Sequence, residues 1–471
     1  MRPFDRRPRH VPIVAFALAI GLLAPTGAAA DPPEAPAPST PSPSPTPAPT
    51  STPTSPAPTS PAATPSPTAT PTIPSPTPAP PSAAPDAAPE ALPTSAGRLA
   101  AVPRWVGRIN RLVAGLRVSV TIGYGGHYWY RHQATARRIP ASNEKLLLSM
   151  ALLDRLGPSM RIPTYVRSER PADENGVIAG DLWILGRGDP EIDRSTINDL
   201  AHDLRAAGVT RIRGRVRGST NYFARDWWAV GWKDHFRADE VPFPTALTYL
   251  GNVGPGGQHI NDPERRAAAA LTTRLRHRGI GVTGTPGAGR PPDELVPLGQ
   301  VQSAAMKEIV RRMDVDSLNF SAEVLGKLLA RETTGRPATI ARGARAIAAF
   351  EQEQGVASFE HHDSSGLSYA NRVRTQGIVK LLWAANGETW GPVLRAALPR
   401  GGQGTLRDRL HGVKVRAKTG TLDRVSALSG WVWLDDRRDW GEFSIVSRGL
   451  TKTAAVRIED EIVRLVSAHA G

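Results

Sequence analysis

The chain has 471 residues, enough for more than one domain and for a sizeable core. It carries 58 Lys and Arg against 43 Asp and Glu, a formal net charge of +15, and arginine supplies 50 of the basic residues against 8 lysines. The absence of cysteine excludes a disulfide framework, a zinc-thiolate centre and a lipid-bearing cysteine.

Residues 1–30 read as a secretory signal. Arg2, Arg6, Arg7 and Arg9 precede an apolar run from Val11 to Ala24, and the small residues Gly27-Ala28-Ala29-Ala30 follow. The run is short for a bilayer span; an uncleaved anchor is the alternative reading. Cleavage before Asp31 removes four arginines and Asp5 and leaves about +12. That charge suits an anionic neighbour, and a peripheral association with a wall polymer or membrane face is compatible with it. The arginines are scattered and the chain reads as exported to the extracellular or cell-envelope space, so nucleic acid is not an expected partner. Residues 31–95 hold 24 of the 45 prolines in a Pro/Ser/Thr/Ala run without Lys or Arg. Such a run cannot bury a core and reads as a disordered linker, either a spacer or a solvated tail. Its prolines favour an extended form of ~3.1 Å per residue.

The folded part begins near Gly97 with a helix over 98–115. Arg117–Gly123 and His127–Arg131 alternate like paired strands across a Gly125-Gly126 turn. Ser142-Asn143-Glu144-Lys145 then opens a helix whose leucines occupy nearly every face, so it should be buried; Gly157-Pro158 stops it. From about Tyr165 to Leu298 short strands with Gly and Pro turns dominate, with one or two helices such as Thr196–Ala207. This reads as an inserted, mostly-β domain (166–300) dividing one domain into 96–165 and 301–471. Helical periodicity returns over Ser303–Arg331. Strands follow at Val415–Thr421, Ser426–Leu434 and Gly441–Ser447, and an amphipathic helix at Thr453–Ala468 closes the chain. Helices flanking an antiparallel sheet predict an α+β, mixed α/β fold.

Three short patterns carry chemistry. In Ser142-x-x-Lys145, helical spacing puts both side chains on one face, and the helix N-terminus favours negative charge beside the serine. A serine hydroxyl needs a base, and burial can lower a lysine enough to serve. Only Lys145, of the eight lysines, has a serine three positions before it. In Ser317-x-Asn319 a second hydroxyl can relay a proton and an amide can hold a peptide carbonyl. Ser219-Thr220-Asn221 matches the same pattern, but Ser317 is preferred because it lies at a helix start. In Lys418-Thr419-Gly420-Thr421 an edge strand can bind a terminal carboxylate, Gly420 admits a close neighbour, and the Thr421 N–H can join that of Ser142 in an oxyanion hole. The pair His361-His362 invites a metal reading, but neighbours in a strand point to opposite faces, and no metal is expected.

Ser-x-x-Lys, Ser-Asp-Asn and Lys-Thr-Gly mark penicillin-binding proteins and class A β-lactamases, and this chain has the three in that order with Leu318 at the middle of the second. The chain resembles the D-alanyl-D-alanine carboxypeptidase/endopeptidases of the class C low-molecular-mass penicillin-binding proteins, peptidase family S13, over roughly residues 97–465. The resemblance is carried by Pro140–Lys145, Gly186–Pro190, Ser317–Glu323, Asp363–Ser368, Gly404–Leu406 and Ala417–Thr421. The 172 positions from Lys145 to Ser317 leave room for the extra domain this family inserts there. It implies a serine β-lactamase/DD-peptidase-like transpeptidase domain with no cofactor. Its implied roles are Ser142 as nucleophile, Lys145 as base, Ser317 as proton relay, Asn319 orienting the peptide, and Lys418 with Thr419 on the carboxylate. Peptidoglycan peptides are the implied substrates and β-lactams the implied covalent inhibitors. Leu318 stands where Asp or Asn is frequent, and Ser364 where glycine is usual. Two other readings stay open. One is a β-lactamase or esterase on the same scaffold; the other is a non-catalytic wall-binding envelope protein.

Overall fold

The structure, a computed structural model, describes residues 103–469. The signal-like segment 1–30 and the Pro-rich run 31–95 lie outside the described residues. Helix α1 (Arg104–Val113) leads into strands β1 (Val118–Tyr124) and β2 (His127–His132). Gly125 and Gly126 turn this hairpin with φ of 57° and 80°, a conformation glycine adopts without steric cost. A 3-10 turn, Ala141–Asn143, opens α2 (Glu144–Arg155), whose residues 144–153 are all buried.

The insertion follows. Its strands are β3 (Arg161–Ser168), β4 (Val177–Ile178) and β5 (Leu182–Leu185), then β6 (Arg211–Ile212) and β7 (Val216–Ser219) after α3 (Arg194–Ala206). Next come the short α4 (Phe236–Asp239), α5 (Pro263–His277), β8 (Gly281–Val282), β9 (Gly287–Gly289) and β10 (Val296–Ala305). Asp193 caps α3 through the N–H groups of Ser195 and Thr196, and Pro263 supplies the first turn of α5. β3 and β10 pair antiparallel, so the insertion leaves beside the place it entered. The five-stranded order is β10-β3-β5-β7-β9, and a second sheet runs β4-β6-β8. The pairs β5–β7 and β7–β9 are parallel, as are both pairs of the small sheet. Parallel neighbours need a crossover, and α3 and α5 provide it. The expectation of short strands with one or two helices over this stretch did not anticipate these β-α-β passages. Ile184, Leu200, Leu204, Val216, Leu271 and Leu275 belong to the insertion's own apolar cluster.

The chain returns through α6 (Met306–Asp316), α7 (Asn319–Thr334), α8 (Ile340–Glu353), α9 (Thr375–Gly387) and α10 (Gly391–Ala397). It ends with β11 (Val415–Leu422), β12 (Val425–Leu434), β13 (Asp439–Arg448) and α11 (Lys452–His469). The central sheet is antiparallel throughout, in the order β11-β12-β13-β1-β2. Val118, Val120 and Ile122 alternate onto one face with Phe443 and Ile445, packing against Trp105 of α1 and Ile462 of α11. Trp431 joins the other face, where Leu146–Leu153 of α2 meet α6, α7 and α9. Two expectations change here. Helical periodicity over Ser303–Arg331 is broken twice: Ser303 lies in β10, and Ser317 is not a helix start. Ser317 has left-handed φ of 57° and separates α6 from α7.

Candidate active site

Ser142 sits in the 3-10 turn ahead of the buried helix α2. Ala141 before it has φ 48°, an unusual conformation held by its surroundings. A Cβ on Gly366 would lie 1.9 Å from the Ala141 carbonyl oxygen, so the 361–368 loop can back onto this turn only with glycine there. Asn143 anchors the other side through Nδ2, which donates to Ser429 Oγ of β12 at 2.7 Å.

Lys145 lies in the first turn of α2, three positions after Ser142, and is fully buried. An ammonium has three donors, and Lys145 Nζ meets three acceptors: Ser142 Oγ at 3.2 Å, Asn319 Oδ1 at 2.7 Å and the Ser365 carbonyl at 2.6 Å. Burial brings its pKa down to about 8, against the pull of Asp363, Glu323, Asp314 and Glu240. A neutral amine is thus within reach near neutral pH, and it faces the serine hydroxyl.

The second pattern and the third meet each other. Lys418 on β11 is fully buried and its Nζ donates to Ser317 Oγ and to the Thr419 carbonyl, both at 2.9 Å. Burial, and then the like charge of Lys145, hold Lys418 below the ordinary lysine range. The left-handed turn at Ser317 aims its hydroxyl at this lysine. Asp314, one turn earlier on α6, is buried and accepts from Ser149 Oγ at 2.8 Å, and its charge opposes the lysines' loss of protons. β11 is the edge of the central sheet and faces the serine turn. A Cβ on Gly420 would stand 2.8 Å from the Pro140 carbonyl oxygen and 3.1 Å from Ser142 N. Thr421 follows on the same edge, its Oγ1 accepting from Lys452 Nζ.

Ser142, Ser317, Asn319, Thr419 and Thr421 line a cleft of 540 Å³. The alternative Ser219-x-Asn221 match is not at this cleft: those two residues line a smaller depression with Arg167 and Arg187. The cleft also holds Lys233, Phe236 and Glu240 from the insertion, and Arg409 and Lys452 from the C-terminal part, which no local pattern marked. One signal in the sequence did point to a hidden network. Glu144 and Lys145 are the only charges of an apolar helix until Asp154, and buried charges need partners. Glu144 pairs with His361 Nδ1, and His361 Nε2 lies 2.7 Å from Glu351 Oε2 of α8. His361 is fully buried while His362 is a quarter exposed and turns to Glu360. Glu323 of α7 accepts from the N–H groups of Ser364 and Ser365, and Asp363 accepts from Trp232 Nε1 of the insertion. The loop that gives Lys145 its third acceptor is thereby clamped from two sides.

A hydroxyl primed by a buried amine, beside a second serine–lysine pair on a sheet edge, defines a serine hydrolase that works through a covalent acyl intermediate. The chain belongs to the D-Ala-D-Ala carboxypeptidase 3 (S13) family, whose model matches residues 107–255 and 251–469. A D-alanyl-D-alanine carboxypeptidase from Actinomadura sp. (strain R39) is 26% identical over 435 residues, covering 74% of this chain and 80% of the relative. Penicillin-binding protein 4 from Haemophilus influenzae shares the fold with a TM-score of 0.69 and 19% identity, over 77% of this chain and 99% of that one. The same protein complexed with a β-lactam gives a TM-score of 0.62 at 20% identity, with the same coverage.

Proposed function

We propose that this protein is a serine-type D-Ala-D-Ala carboxypeptidase, with endopeptidase action on D-alanyl cross-links as an extension of the same chemistry. The observation that carries the reading is the buried Lys145 amine, 3.2 Å from Ser142 Oγ, with its pKa brought down to about 8. Neutral Lys145 takes the Ser142 proton as Oγ attacks the carbonyl carbon of the penultimate D-alanine. The N–H groups of Ser142 and Thr421 receive the developing oxyanion, and removing one such donor costs ~10²–10³ in turnover. Asn319 holds the peptide, and Lys418 with Thr419 holds the terminal carboxylate. Ser317 passes its proton to the leaving nitrogen and takes one from Lys418, whose Nζ donates to it. The C–N bond breaks, D-alanine departs, and water hydrolyses the Ser142 ester to return the enzyme.

The family membership and the Actinomadura relative support peptidoglycan stem peptides as substrate. The β-lactam complex of the Haemophilus protein supports β-lactam binding at this site, and a covalent penicillin adduct on Ser142 is what the proposed chemistry expects. The test is fluorescent penicillin on the purified protein beside Ser142→Ala. A stable label on the wild type alone, with D-alanine release that penicillin blocks, is the expected result. A label lost within seconds would turn the reading to a β-lactamase, and no label to a wall-binding protein. We further propose that residues 1–30 direct export to the cell envelope, on the strength of their arginine, apolar and small-residue order. The mass of the secreted protein would then begin at Asp31.

A further inference from the structure

Asn319 reaches in two directions. Its Oδ1 accepts from Lys145 Nζ at 2.7 Å, and its Nδ2 donates to Glu240 Oε2 at 3.1 Å. The first contact fixes the amide's orientation, because an ammonium only donates and must meet the carbonyl end. The NH2 end is thereby turned to the cleft, where the peptidase reaction requires it for a substrate carbonyl. In this structure a carboxylate already takes it. Glu240 follows the short α4 of the insertion, 79 positions from Asn319, and lines the cleft with Ser142 and Thr419.

We propose that Glu240 is a positioning residue that holds the Asn319 amide in place of substrate and yields it when a peptide carbonyl arrives. The proposal rests on the peptidase reading above. A carboxylate on an exposed side chain forms a weak, screened contact, so an incoming peptide can displace it. Its departure also withdraws a negative charge from the neighbourhood of Lys145. The other charges facing Lys145 are Asp314 from α6, Glu323 from α7, Asp363 from the 361–368 loop and Lys418 from β11. Those four are fully buried and cannot leave, whereas Glu240 is exposed. As Glu240 moves off, Lys145 shifts toward the neutral amine, the form that accepts the Ser142 proton. Substrate entry thus primes the base. This gives the insertion a part in the reaction, through one side chain laid across the mouth of the site.

Two variants separate the contact from the charge. Glu240→Ala removes both, and Glu240→Gln keeps an amide oxygen for Asn319 without the charge. With fluorescent penicillin, Glu240→Ala is expected to raise the second-order acylation rate constant roughly threefold to tenfold. The acid limb of its pH profile should move to lower pH. Glu240→Gln should move that limb likewise with a smaller gain in rate. On the alkaline plateau, where Lys145 is already neutral, the gain should vanish when Asn319→Ala is combined with Glu240→Ala. A rate that is unchanged or slower in Glu240→Ala, or a plateau gain that survives without Asn319, overturns the proposal. Absence of label on the wild type would instead sink the peptidase reading, and the role of Glu240 with it.

Discussion

At the scale of a single residue the proposed base is Lys145, and in that role its charge state sets the pH response. The base must be neutral, and burial places its pKa at about 8. Acylation by penicillin should therefore climb with pH through about 8 and level off above it, which stopped-flow labelling would follow. Lys145→Arg keeps a cation of similar reach but cannot lose its proton. It should drop acylation by roughly 10²–10⁴ at every pH, with no acid limb left. Ser142, Lys145 and Lys418 were legible in the chain because helical spacing and a unique Lys-Thr-Gly left few competitors. Ser317 and Asn319 were legible only as company for those two motifs, since Ser219-x-Asn221 offers the same letters. Glu240 had no local signal. It enters the cleft by a path through space, and an exposed glutamate near a short helix looks like any other.

Among elements, contacts between neighbours matter more than the elements themselves. β11 approaches the serine turn so closely that Gly420→Ala has no room beside the Pro140 carbonyl and Ser142 N. That variant should fold, since the strand edge can shift by a few tenths of an ångström, yet lose about 10²-fold in acylation as the oxyanion donors move apart. Helix α2, α8 and the loop between α8 and α9 are tied by Glu144, His361 and Glu351. Burial lifts Glu144 to about 7, and burial also raises Glu351. Burial alone would lower His361, but the two carboxylates hold it well above its ordinary value. The imidazolium thus persists through neutral pH and offsets both glutamates. His361→Gln removes it, and the glutamates must then stay protonated to remain buried. Their stability contribution is present at low pH and is lost as pH rises above the unfolded carboxylate range. The variant should cost about 3–5 kcal/mol at pH 8 and less at pH 5, by urea denaturation. Strands and the apolar helix α2 were readable from periodicity. The break at Ser317 was not, because the pattern on both sides is helical and one left-handed residue leaves no mark on it.

For the whole molecule, the insertion is fastened to the catalytic core by buried polar contacts. Lys327 of α7 is fully buried and donates to Asp226 Oδ1 at 2.7 Å and to the Ala224 carbonyl at 2.8 Å. Asp226 also accepts from the Ile340 N–H at 2.7 Å. Lys327→Met should cost about 1–3 kcal/mol, below a fully buried pair because Asp226 keeps some access to water. Chemical denaturation would measure it. The length between the first two motifs made the insertion legible, but its parallel strand order was not, since short strands carry no record of which neighbour they choose. The distances along the chain have one more consequence. Lys145 finds Asn319 and Ser365 across 174 and 220 positions, and Lys418 finds Ser317 across 101. Closing loops of that length is slow, so the ability to take a penicillin label should return last during refolding, after tryptophan fluorescence has recovered. A ribosome-bound chain halted before β11 would already hold its serine and its base, and would still be inert.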